Sequence, residues 1–133
     1  MIVYVDTSAA MKLLVEEKES AELAERLEGF RARGDTLLAS LLLHTELHCA
    51  ANRRPECVAH DSVTAVLSTI SLIDFESSDL IMAPLLPGRL RSAGAIHLAT
   101  ALRLNARAMV VYDHELMAAA RTAGIDPLSP GVA

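Results

Sequence analysis

Apolar and polar positions along this chain keep either a strand-like or a helical period, and the switches between the two mark the elements. Ile2 to Val5 is β-branched or aromatic and stops at Asp6, which predicts a short buried strand running straight into a helix over Thr7–Val15 with Asp6 or Thr7 as its cap. From Lys18 to about Arg33 the residues Ala21, Leu23, Ala24, Leu27 and Phe30 recur at helical spacing among glutamates, and Gly34 with Asp35 supplies the stop. Thr36–Ala39 reads as a second strand. Ser40 then caps a third helix through Glu46 to about Asn52, and Pro55 with Glu56 opens a fourth that reaches about Ser68. Thr69–Phe75 is a third strand, and Ser77 or Ser78 caps a short helix over Asp79–Leu85 that Pro87 and Gly88 end. Ser92 caps an apolar helix through Leu104. The apolar run Ala108–Tyr112 ends at Asp113, a helix follows from His114 to about Ala123, Gly124 stops it, and Ile125–Leu128 makes an edge strand.

Strands that alternate with helical segments predict an α/β fold of three layers, α/β/α, around a mostly parallel sheet of four or five strands. At 133 residues the chain reads as one domain over 1–133, with no internal repeat, low-complexity tract or linker. A hydrophobic fraction of 52% excludes intrinsic disorder. Charge changes the picture more: 12 Lys and Arg face 17 Asp and Glu, for a net −5, so any nucleic-acid handling must come from a local site and not from a general positive field. Cys49 and Cys57 have no zinc-ligand spacing and read as buried small residues in a reducing compartment. No apolar run is long enough to span a membrane, and MIVYVDTSAAMK lacks the charged start of a secretory leader, so a cytoplasmic location is expected.

Two strand candidates end alike: MIVYV runs into Asp6 and AMVVY into Asp113. In a parallel sheet the carboxyl ends of the strands share one edge, where ligands bind at the switch in strand order, so these two acids are expected to face each other. Glu46 lies six residues past Ser40 and reaches the same edge from an apolar surrounding, SLLLHTELHCAA, where a free carboxylate is costly. Singly, each acid has a plainer reading as a helix cap, a partner of Arg53 or Arg54, or a solvated side chain. Together, three converging carboxylates repel unless a cation neutralises them, and hard oxygen donors suit Mg2+ or Mn2+.

VDTSAAMKLL, HTEL, SAGAIHLATAL and VVYDHELMAAA stand in the order and approximate spacing of a PIN-domain ribonuclease, and over its whole length the chain resembles the VapC toxins of bacterial toxin-antitoxin pairs. The resemblance implies a PIN-like fold and an endoribonuclease dependent on Mg2+ or Mn2+. Its substrate would be RNA, its partner a VapB-type antitoxin covering the acidic site, and its assembly a homodimer. By position Asp6, Glu46 and Asp113 match three metal-binding acids of that family, and Ser8 matches the small polar residue that supports the first.

One departure stands out. The family typically has Asp before the AIHLA segment, and Gly94 is there instead; within a helix Gly costs roughly 1 kcal/mol relative to Ala. Two readings stay open: an endoribonuclease attenuated at Gly94 or working with the three remaining acids, and a catalytically inactive PIN-fold module that binds antitoxin or RNA without cutting. His44 and His48, four apart in HTELH, superficially resemble a zinc motif, but the acid is misplaced and no third ligand is evident. His97 reads as a hydrogen-bonded core residue with a supporting role at the site left open. Residues 89–121 hold five Arg against Asp113 and Glu115, so Arg89 and Arg91, with Arg53 and Arg54, are candidates for guiding RNA by phosphate contact. A phosphoryl-accepting receiver domain would need an extra acidic pair and a late Lys, whereas the lysines are Lys12 and Lys18. A phosphatase with a DxD motif fails because residue 8 is Ser.

Overall fold

The computed structural model describes residues 1–132. Strand β1 (Ile2–Val5) leads into helices α1 (Thr7–Leu14) and α2 (Ser20–Ala32), then β2 (Thr36–Ser40), α3 (Leu42–Arg53) and α4 (His60–Leu67). After β3 (Ser71–Ile73) come α5 (Ser77–Met82), a single 3-10 turn (Ala83–Leu85), α6 (Ser92–Arg103), β4 (Ala108–Val110), α7 (His114–Thr122) and β5 (Asp126–Leu128). The five strands are all parallel, in the order β3-β2-β1-β4-β5. Right-handed crossovers then put α1 to α4 on one face and α5 to α7 on the other. The packing agrees, because α1 touches α2, α3 and α4 while α6 touches α5 and α7.

The central strands carry no polar face because helices cover both sides. Val3, Tyr4 and Val5 of β1 and Ala108, Met109 and Val110 of β4 are all buried, and with Leu23, Leu43, Leu47 and Leu98 they form one core. Chain direction reverses at β1: β2 and β3 lie on one side, and the chain returns past β1 to place β4 on the other. The carboxyl ends of β1 and β4 are therefore the switch point at which such sheets bind ligands. Tight pairing continues past β1, since Asp6 N–H donates to Val110 O at 3.0 Å.

Several local expectations need correction. The fourth helix begins at His60 and not at Pro55, because Cys57 and Val58 N–H both turn back to Arg54 O and close a turn there. Cys49 and Cys57 are free and exposed, not buried. Glu76, in a capping box with Asp79, replaces Ser77 or Ser78 as the cap of α5, while Arg91, with no side-chain cap, precedes α6 in place of Ser92. Leu41 holds the cap position of α3, although Ser40 Oγ still accepts from Leu42 N at 3.1 Å. Leu80, Ile81, Met82 and Leu85 are exposed. No helix among the described residues is long and apolar enough to cross a membrane.

One buried ion pair ties α5 to α6. Arg103 Nε and Nη2 donate to Asp79 Oδ1 and Oδ2 at 2.8 and 3.0 Å, and Asp79 is 2% exposed. Burial alone would raise the Asp79 pKa, but the Arg103 guanidinium outweighs it and holds the carboxyl below its ordinary value. Removing one partner strands the other, so Arg103→Ala is expected to cost about 2–3 kcal/mol in urea unfolding at neutral pH. A carboxyl depressed in the folded state contributes stability above its unfolded pKa and loses it as pH falls through the folded value, so this difference should shrink below about pH 4.

Candidate active site

Asp6 and Asp113 both stand directly at strand-to-helix junctions. Asp6 caps α1, its Oδ2 accepting Ser8 N–H at 3.0 Å and the Ser8 hydroxyl at 2.6 Å. Asp113 caps α7, its Oδ1 accepting Leu116 N–H at 2.9 Å. The plainer cap reading is thus correct for both acids, and it leaves room for more. Each cap uses one carboxylate oxygen, and Asp6 Oδ1 and Asp113 Oδ2 make no hydrogen bond among the described residues. Ser8 also joins the two strand ends, because its Oγ accepts Tyr112 N–H at 2.9 Å while donating to Asp6.

Glu46 comes from α3. Its Oε1 accepts the Thr7 hydroxyl at 2.7 Å and lies 2.5 Å from His97 Nε2, while Oε2 is without a hydrogen bond among the described residues. Partial burial pushes this carboxyl up, yet the hydrogen bonds from His97 and Thr7 outweigh it and hold the pKa below its ordinary value. Glu46 is therefore a carboxylate at neutral pH.

These residues line one cavity of about 240 Å³ with Thr7, Ser8, Leu90, Arg91, Ala93, Gly94, His97, Glu115 and Leu116. The three expected acids share a cavity, but they do not form a finished ligand shell: among the described residues no three His, Cys, Asp or Glu side chains are grouped to hold a metal ion. Gly94 sits in the first turn of α6 on the cavity wall, and a β-carbon there would meet only Leu116 Cδ2, at 3.8 Å. Of the basic candidates, Arg91 lines this cavity and Arg54 lines a neighbouring depression with Ser8 and Asp113. Arg89 instead borders a groove with Glu115 on the α7 side, and Arg53 ends α3 in solvent.

Three participants went unread in the sequence. Glu115, counted only as charge, adds a fourth carboxylate to the cavity two residues after Asp113, and that short spacing was the available signal. Thr7, taken as a cap, holds Glu46. Tyr4, taken as core, contacts His97. Elsewhere the structure adds a third imidazole to the His44 and His48 pair: His48 Nδ1 is 2.7 Å from His60 Nδ1, and burial with the two neighbouring rings lowers the His48 pKa. That trio, too, is no finished metal site.

The PIN domain family model matches residues 3–122 of this chain. The chain belongs to the PIN domain family, on its VapC ribonuclease branch. It is 32% identical over 133 residues to Ribonuclease VapC47 of Mycobacterium tuberculosis, covering 98% of each protein. To Ribonuclease VapC46 of the same organism it is 34% identical over 131 residues, covering 96% of this chain and 97% of that one. The fold is similar to a chain in the crystal structure of VapBC2 from Rickettsia felis bound to a promoter DNA fragment, with TM-score 0.76, 16% identity and coverage of 96% and 98%. It is also similar to the sarcin-ricin loop cleaving toxin VapC20 of M. tuberculosis, with TM-score 0.72, 16% identity and coverage of 96% and 99%.

Proposed function

We propose that this chain is the toxin of a toxin-antitoxin pair and hydrolyses RNA phosphodiester bonds with Mg2+ or Mn2+ held by Asp6, Glu46 and Asp113. One observation carries the reading: three acids from three segments line the switch-point cavity, each with one oxygen bound by the protein and the other without a hydrogen bond among the described residues. Hard, ionised oxygen donors of this kind fit a divalent cation, and Glu115 adds a further carboxylate beside them. The relatives named ribonucleases support the chemistry.

A bound divalent ion would supply charge for the scissile phosphate and lower the pKa of a water nucleophile. The chain's own groups prepare the rest. Ser8 fixes the Asp6 carboxylate and ties it to the end of β4, so the two junction acids keep a set separation. Thr7 and His97 keep Glu46 ionised and still. Arg91, exposed on the cavity rim, is placed to meet an RNA phosphate, with Arg54 behind Asp113 and with Arg89 and Arg53 farther along the surface. No protein nucleophile is required. The partners are a VapB-type antitoxin and a second copy of the chain in the cytoplasm, and the exposed Leu80, Ile81, Met82 and Leu85 offer apolar surface for such contacts.

The test is cleavage of total RNA by the purified chain. Cutting is expected with Mn2+ or Mg2+ and is expected to stop with EDTA; cutting that survives EDTA would contradict the reading. A second reading, a PIN module that binds without cutting, is favoured by Gly94 and by the incompletely gathered acids. It predicts no cleavage with either ion.

A further inference from the structure

His97 occupies a place where packing asks for no polar group. It is 1% exposed on α6, among the buried Ala95, Leu98, Ala99 and Ala101. An imidazole there loses its water and returns that cost only through the hydrogen bonds it makes. Both of its nitrogens are engaged. Nδ1 lies 2.6 Å from Tyr4 Oη, and Nε2 lies 2.5 Å from Glu46 Oε1 and 3.0 Å from Thr7 Oγ1.

The proton positions follow from the partners. Tyr4 Oη already accepts Ser40 N–H at 2.9 Å, so its own proton is available to His97 Nδ1. Nδ1 then accepts the Tyr4 hydroxyl, which leaves the ring N–H on Nε2, facing the carboxylate. Thr7 donates to the same Oε1, so two donors close one oxygen of Glu46 and leave Oε2 open.

We infer that Tyr4 and His97 are positioning residues for the reaction: Tyr4 fixes the His97 tautomer, and His97 with Thr7 fixes the Glu46 carboxylate. The chain of contacts runs from the end of β2 at Ser40, through β1 and α6, to α3. It gives Glu46 two donors on one oxygen, as Ser8 gives Asp6, although Glu46 stands on a helix and not at a strand end. The role rests on the metal reading of the previous section, because what is positioned is a ligand.

The experiment measures Mn2+ affinity by calorimetry and the His97 tautomer by nitrogen-15 chemical shifts, on the full chain and on folded variants. His97→Ala is expected to weaken Mn2+ binding by about 10–100-fold, the usual effect of losing a group that orients a metal ligand. His97→Gln, which offers an N–H toward Glu46, is expected to recover part of that loss. A filler of core volume would not produce this rescue. Tyr4→Phe keeps the packing, so a mixed tautomer and a smaller loss of affinity are expected, and this variant serves if His97→Ala does not fold. Wild-type Mn2+ affinity in both Tyr4→Phe and His97→Gln, together with no weakening in a folded His97→Ala, would overturn the positioning role alone. A wild-type chain that binds no Mn2+ while His97 carries its proton on Nε2 would overturn the metal reading and this role with it.

Discussion

Asp6→Asn is expected to lower Mn2+-dependent RNA cleavage by at least about 100-fold, since the charge of a ligand acting on a phosphoryl transition state is worth several kcal/mol and each ~1.4 kcal/mol is tenfold in rate. The substitution separates charge from structure. Asparagine has the same shape, caps helices as well as aspartate, and keeps an oxygen to accept from Ser8 at a position only 4% exposed. Thermal melting should therefore change little in the absence of metal, while Mn2+ should stabilise the wild type and leave the variant nearly unmoved. Cleavage at the wild-type rate by a folded Asp6→Asn chain would place the chemistry elsewhere.

Gly94→Asp is expected to act in the opposite direction, tightening Mn2+ binding and raising cleavage by about tenfold or more. Tenfold is ~1.4 kcal/mol, well within the attraction between a carboxylate and a divalent ion a few ångströms apart at an effective dielectric of about 20. The site can take the side chain: residue 94 lines the cavity, and its β-carbon would meet only Leu116 Cδ2 at 3.8 Å, an ordinary contact. The first turn of α6 also favours an acid through the helix dipole, and replacing Gly by Asp removes about 0.3 kcal/mol of helix cost. Repulsion from the carboxylates already present offsets part of that gain until an ion binds. Gly94→Ala is the control, expected to raise stability by about 0.5–1 kcal/mol without changing Mn2+ affinity. Equal activity of Gly94→Asp and the wild type would sink the idea that Gly94 attenuates the enzyme.

The sheet and the junction acids were legible because their signals are local. A buried parallel strand is a short run of apolar residues, and Asp6 and Asp113 end two such runs, so strand order alone brings them to one edge. Contacts that depend on register between distant segments were not legible. Tyr4 and His97 are 93 residues apart and Glu46 and His97 are 51 apart, and nothing in the strand pattern of IVYV marks Tyr4 as more than core. Glu115 looked like an ordinary acid in the first turn of a helix, and only the placement of α7 turns it toward the cavity. The start of α4 was misplaced because Pro followed by Glu is a good helix opening, whereas here Pro55 lies in a turn closed by Arg54. Much of the excess acidity is solvated surface, since Glu22, Glu25 and Glu28 of α2 are exposed. Of the glutamates from Glu16 to Glu28, Glu19 is the buried one, held against Lys12 at 3.1 Å.

The proposed function stands or falls on a divalent ion held by Asp6, Glu46 and Asp113. Anomalous diffraction from crystals soaked in Mn2+ tests it most directly. A manganese peak is expected in the cavity at the ends of β1 and β4, ligated by Asp6 Oδ1, Glu46 Oε2 and Asp113 Oδ2, the oxygens without a hydrogen bond among the described residues. A cavity without manganese at concentrations that support RNA cleavage, or a peak confined to the His44, His48 and His60 surface, would contradict it.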